Sequence, residues 1–159
     1  MQNLNKMKHF INLKDIPPKD LRKIITDAKK RKAARKNLSN LKTDKKEPLK
    51  DKLLIQMFEK SSLRTRLSFY LAIKQLGGST LTLRPDELHL SKGGESIKDT
   101  AKILSNFGNA FMLRTDDDNK LEEFRKFLSI PIINGLSPSS HPTQILSDVF
   151  TVEEIKKNR

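Results

Sequence analysis

Residues 61 to 66 read Ser-Ser-Leu-Arg-Thr-Arg and follow directly on the apolar run Leu-Leu-Ile-Gln-Met-Phe and the pair Glu59-Lys60. Hydroxyls and forked guanidiniums are the side chains that hold small anions, because each charge-assisted hydrogen bond contributes about 1.5 to 3 kcal/mol. The GxxxxGK spacing of a Walker loop is missing, so a phosphate here would rest on a helix start rather than in a glycine-rich cradle. Arg114 ends a second apolar run, Ala-Phe-Met-Leu. At that place a guanidinium needs a partner or an anion, unless it escapes to the surface beside Asp116, Asp117 and Asp118. His141 precedes Pro142, which suits a first helical turn, and then Thr143 and Gln144. The histidine is either a cap or a group facing the same ligand, and Gln144 offers both a donor and an acceptor. Taken one at a time, Ser62 is equally an ordinary helix cap, and Arg64 and Arg66 are equally solvent-facing side chains.

The elements that must position these residues follow from periodicity. Apolar runs of strand length lie at 52–58, 79–83, 110–114 and 130–134. Between and after them run helical patterns. The first, 17–36, opens on two prolines and carries Leu21, Ile24, Ile25 and Ala28. The second, about 64–76, carries Leu67, Tyr70, Leu71 and Ile73 and stops at Gly77 and Gly78. Further helices are expected with Ile97, Ala101, Leu104 and Phe107, near 121–128, and over about 142–156. Alternating strands and helices predict an α/β domain, a parallel four-stranded sheet flanked by helices on both faces and joined by right-handed crossovers. Ligands of such sheets sit at the carboxyl ends of the strands. That rule selects 59–65, 114–115 and 134–144, all polar. The helix starting near Ser62 adds unpaired N–H groups and the positive end of its dipole.

Composition narrows the function classes. The 159 residues suit one domain, 1–159. The net charge of +13 is local: residues 1 to 60 hold 18 Lys or Arg against 7 Asp or Glu, with the excess centred on 29–36 and on the lysines from 42 to 52. A nucleic-acid binder of this kind needs aromatic groups to stack bases, and the chain has one tyrosine and no tryptophan. A solvated lysine-rich helix face is the better account, with no specific nucleic-acid partner. No cysteine is present and the three histidines are scattered, so neither disulfides nor a zinc site is expected. No apolar stretch reaches the roughly 18 to 20 residues of a membrane span, and the start lacks a signal-type apolar core. A soluble, cytoplasmic protein without a membrane partner is the expectation.

Taken together and in order, Phe-Glu-Lys-Ser-Ser-Leu-Arg-Thr-Arg (58–66), Met-Leu-Arg-Thr (112–115) and His-Pro-Thr-Gln (141–144) resemble the amino-terminal half of the carbamoyltransferases. Within that family, Phe58-Glu59-Lys60, Arg114-Thr115 and Asn134-Gly135-Leu136 look like the ornithine enzyme, while Thr143 leans toward the aspartate enzyme. The resemblance implies a carbamoyl-phosphate-binding domain with no metal or organic cofactor. Its phosphate would be held by Ser62, Arg64, Thr65, Arg114 and backbone N–H groups of residues 62 to 65. The carbonyl oxygen would lie toward Arg114, His141 and Thr65 and the carbamoyl nitrogen toward Gln144, with Leu63, Pro142 and Thr143 lining the site. Leu63 stands where the family usually has threonine, which removes one hydroxyl but leaves the N–H. Around 84–96 the spacing departs from the family, and the glutamine that reaches a neighbouring subunit's site maps onto His89, with Lys92 also able to reach across. The family forms trimers through this domain. Its ornithine-binding motifs do not occur in 1–159, so ornithine is expected to be a partner only with a second domain. The alternatives are an aspartate-type domain, a non-catalytic anion-binding fragment and, more remotely, a basic nucleic-acid binder. His141 beside the arginines is expected to stay neutral near pH 7.

Overall fold

A computed structural model describes residues 8–84 and 95–157. Four strands, β1 (Leu53–Phe58), β2 (Ser79–Leu83), β3 (Ala110–Arg114) and β4 (Ile132–Leu136), form one sheet in the order β2-β1-β3-β4. Every pairing between them is parallel. The helices are α1 (Pro18–Ala34), α2 (Leu63–Gln75), α3 (Ile97–Phe107), α4 (Asp118–Phe127) and α5 (Pro142–Lys157). A single 3-10 turn, Leu13–Asp15, precedes α1. No helix among the described residues is long and apolar enough to cross a membrane.

The central strands β1 and β3 are apolar apart from Gln56 and Arg114 because both of their faces are covered. On one face Ile55, Met57, Phe111, Leu113 and Ile132 pack with Ala101 and Leu104 of α3 and Leu121 and Phe124 of α4. The Phe111 and Phe124 rings meet at 5.2 Å and 50°. On the other face Leu54, Phe58 and Met112 pack with Phe69 and Ile73 of α2. Gly77, at φ 87°, takes the left-handed turn that ends α2, as the double glycine predicts. Asp117 caps α4 by accepting from the Asn119 N–H, so this helix starts three residues before its apolar stripe.

Several expectations change in detail. The fourth strand lies two residues further along than 130–134, which carries Gly135 and Leu136 into the sheet. In α2, Leu67 and Tyr70 face outward and no residue is buried, since Phe69 and Ile73 make the contact with the sheet. In α1 only Ile25 is buried, while Ile24 and Ala28 are exposed. Phe107, grouped with the core residues of α3, is 74% exposed. Apolar spacing identifies the helices, but in these three it does not say which residue of the stripe meets the sheet. The core is concentrated on the α3–α4 face, so truncating Phe124 there to alanine is expected to cost about 3 to 5 kcal/mol in urea unfolding. A loss below about 1 kcal/mol would contradict this packing.

Candidate functional site

The parallel register aligns Phe58 with Arg114, so β1 and β3 end side by side and the Glu59 N–H donates to the Arg114 carbonyl at 3.0 Å. From there the Arg114 guanidinium reaches the turn after β1. Its Nη1 donates to Ser62 Oγ at 2.9 Å and to Thr65 Oγ1 at 3.3 Å. Ser62 occupies the N-cap position of α2 in extended conformation, yet its side chain makes no capping bond. The hydroxyl serves Arg114 instead, and the first-turn N–H groups of α2 keep no side-chain acceptor of their own.

The carboxylates nearby are all committed elsewhere. Asp116 pairs with Lys60 at 3.2 Å, Asp117 caps α4, and Asp118 accepts from the Ser139 hydroxyl at 2.9 Å. Glu59 accepts from Thr115 Oγ1 at 2.5 Å and from Lys120 Nζ at 2.6 Å. Arg114 therefore has no anionic partner among the described residues, and its buried Nε finds no acceptor there. The surface escape beside Asp116, Asp117 and Asp118 does not occur. A partly buried cation without a counter-ion is costly, and an anion bound against Ser62, Thr65 and Arg114 would relieve it.

The third segment arrives from β4. Beyond it Ser137 and Ser140 close a turn through N–H to carbonyl bonds of 3.0 and 3.3 Å, and His141 follows, with buried Pro142 opening α5. The His141 ring is half-buried, with Nδ1 3.3 Å from Thr143 Oγ1. Burial first, and then the Arg114 charge, hold its pKa below the ordinary 6.5 against an opposing pull from Asp148. Gln144 donates from Nε2 to Asp148 at 2.8 Å, which leaves its Oε1 without a hydrogen bond among the described residues. Thr65, Ser68, Phe69 and Ala72 of α2 face Thr143, Gln144 and Ser147 of α5 across a cleft of about 210 Å³.

Ser62, Thr65, Arg114, His141, Thr143 and Gln144 thus converge. Arg64 and Leu63 lie outside this set: both are exposed, and the Arg64 guanidinium makes no hydrogen bond or ion pair among the described residues. Arg66 lies over the Phe58 ring, 5.3 Å from its centroid. His89 and Lys92 lie outside the described residues. Two residues quoted within the motifs were given no role by the sequence: Glu59, with its Thr115 and Lys120 partners, and Asn134.

Residues 8–154 match the sequence profile of the aspartate/ornithine carbamoyltransferase carbamoyl-P binding domain. The chain belongs to the aspartate/ornithine carbamoyltransferase family. An ornithine carbamoyltransferase of Agrobacterium fabrum is 45% identical over 92% of this chain and 46% of its own length. The crystal structure of an anabolic ornithine carbamoyltransferase from Campylobacter jejuni superposes with a TM-score of 0.84 at 38% identity, over 96% of this chain and 47% of that one. The catalytic subunit of M. jannaschii aspartate transcarbamoylase gives a TM-score of 0.79 at 32% identity, over 94% of this chain and 48% of its own. The chain spans about half the length of the relatives it matches. Their shared half is the carbamoyl-phosphate-binding domain, and the convergent residues above lie at its strand ends.

The charges around His141 tie stability to pH. A histidine whose folded pKa is depressed contributes fully above 6.5, and that contribution is lost as the pH falls from 6.5 through the folded value, because the unfolded chain accepts the proton more readily. In an NMR titration His141 is expected below 6.5, higher in Arg114→Met and lower still in Asp148→Asn. A wild-type value above 6.5, or no response to Arg114→Met, would show that the two groups are not neighbours.

Proposed function

We propose that this domain binds carbamoyl phosphate and supplies the carbamoyl-donor half of an ornithine carbamoyltransferase, which forms citrulline and phosphate on the way to arginine. The observation that supports the reading is Arg114, a cation at the end of a buried strand with two hydroxyls on Nη1, an unpaired Nε and no carboxylate partner among the described residues. In this reading the phosphate lies against Ser62, Thr65, Arg114 and the first-turn N–H groups of α2, with Arg64 closing over it from the rim. The carbonyl oxygen turns toward Arg114, Thr65 and neutral His141. The carbamoyl nitrogen donates to Gln144 Oε1 beside Pro142 and Thr143.

The chemistry asks for no more than positioning and charge. The neutral side-chain amine of ornithine adds to the carbonyl carbon, negative charge gathers on the carbonyl oxygen, and the donors of Arg114, Thr65 and His141 stabilise it. The bond from carbon to the bridging oxygen then breaks, inorganic phosphate leaves, and the amine gives up a proton. The groups that hold ornithine come from outside residues 1–159, in keeping with a chain that covers 46% of the A. fabrum enzyme. Cytoplasmic trimers formed through this domain complete the proposal. The exposed Leu63, Leu67 and Tyr70 of α2 are a surface that such contacts would cover. The M. jannaschii likeness supports a second reading, an aspartate-type acceptor, because the same half serves both enzymes.

Calorimetry with carbamoyl phosphate is expected to show binding that Arg114→Ala weakens by ten-fold or more, the loss of about 1.5 to 3 kcal/mol that charge-assisted bonds carry. Lys32→Ala, in the lysine-rich helix, should leave it within about twofold. Equal sensitivity to both changes would point to nonspecific attraction of anions instead. With ornithine added, the 159-residue chain alone is expected to yield no citrulline. Turnover by that chain would overturn the half-site proposal.

A further inference from the structure

Asn134 is fully buried in β4, and its amide bonds to four groups in separate places. Oδ1 accepts from the Leu136 N–H at 2.9 Å. Nδ2 donates to the Ile11 carbonyl at 3.1 Å, to Ser137 Oγ at 3.0 Å and to the Ser140 carbonyl at 3.2 Å. One donor and three acceptors around the amide fix its orientation, and two N–H bonds serving three acceptors mean that one is shared. The Ser140 carbonyl belongs to the peptide that leads into His141, so the amide holds the backbone immediately before the site histidine.

The same amide acts on Arg114. Leu136 sits at φ 148°, a conformation unusual for a side-chain-bearing residue, and its N–H is the group that Asn134 holds. At this point the sheet register shifts between Leu113 and Arg114, and Arg114 comes opposite Leu136. The Thr115 N–H then donates to the Leu136 carbonyl at 3.0 Å. Gly135 permits the passage, since a Cβ there would collide with Met112 Sδ. Ser137 extends the chain of contacts: its hydroxyl is the first of the groups that keep the Asp118 carboxyl below its ordinary pKa.

We propose that Asn134 is a positioning residue whose single buried amide sets both the strand-end geometry of Arg114 and the approach of His141, and so holds the two halves of the anion site in register. This rests on the anion-site reading above. Its role follows from the geometry: removing the amide frees the 137–140 turn and the Leu136 backbone together, letting His141 move out from burial and away from Arg114, with Asp148 the other charge facing it.

The test compares Asn134→Ser with Leu121→Ala, a truncation in the α3–α4 core that removes none of the hydrogen bonds around Asn134, Arg114 or His141. In Asn134→Ser, NMR titration is expected to place the His141 pKa closer to 6.5 than in wild type, and calorimetry to show inorganic phosphate binding about ten-fold weaker. Leu121→Ala should lower the melting temperature while leaving both readouts as in wild type. If Asn134→Ser keeps the wild-type His141 pKa, or if Leu121→Ala shifts it equally, the proposal is overturned. If Asn134→Ser does not fold, Ser137→Ala removes one acceptor of the amide at little cost in volume and decides the question in its place: a smaller shift in the same direction supports the role, and none overturns it. Should wild type fail to bind phosphate, the anion-site reading falls, while the His141 titration still decides the role of Asn134.

Discussion

A guanidinium at the end of a buried strand, with no carboxylate partner among the described residues, organises this domain. Arg114 stands beside Ser62 and Thr65, and each of the carboxylates around it is occupied by another donor. Glu59 is the informative case, because it leaves β1 alongside Arg114 and would neutralise it if free. Lys120 of α4 and Thr115 instead hold both of its oxygens. Among the described residues Arg114 thus keeps its charge without a carboxylate partner at the start of α2, where the helix dipole adds to it.

The parallel sheet makes this arrangement possible. Three strands with a common direction deliver their carboxyl ends to one edge, so segments separated by about fifty residues and then by about twenty-five more become neighbours. Each arrival is fixed by polar contacts more than by apolar ones. The Glu59 network ties β1 to β3 and α4, and Asn134 ties β4 to the amino-terminal segment and to the turn before His141. The large apolar cluster lies on the opposite, α3–α4 face and supplies stability without reaching the ligand side. The α2–α5 side is more lightly packed, and the cleft between those helices opens there.

Much of the fold was legible because strand and helix periods are local properties. Continuous apolar runs marked β1 and β3, the double glycine marked the end of α2, and alternation of strand with helix implied parallel pairing. The candidate site was legible only through three motifs taken in order, since each hydroxyl and guanidinium alone also reads as a helix cap or a solvent-facing side chain. Burial within the helices was less so: Leu67, Tyr70 and Phe107 follow the apolar spacing yet face outward. The spacing records an apolar stripe without saying which neighbour covers it.

The sequence by itself determined the kind of chemistry and the order of the elements, because residue type and period require no partner to be read. Arg114, Ser62, Thr65 and His141 could be named as a group from their places at strand ends. Only the tertiary structure decided that Arg114 has hydroxyl rather than carboxylate partners among the described residues, that Arg64 is exposed, and that Glu59 and Asn134 tie the strand ends together. Those outcomes depend on which charge reaches which across the sheet, and hydrogen bonds between residues as far apart as Ile11 and Asn134 leave no mark in local spacing.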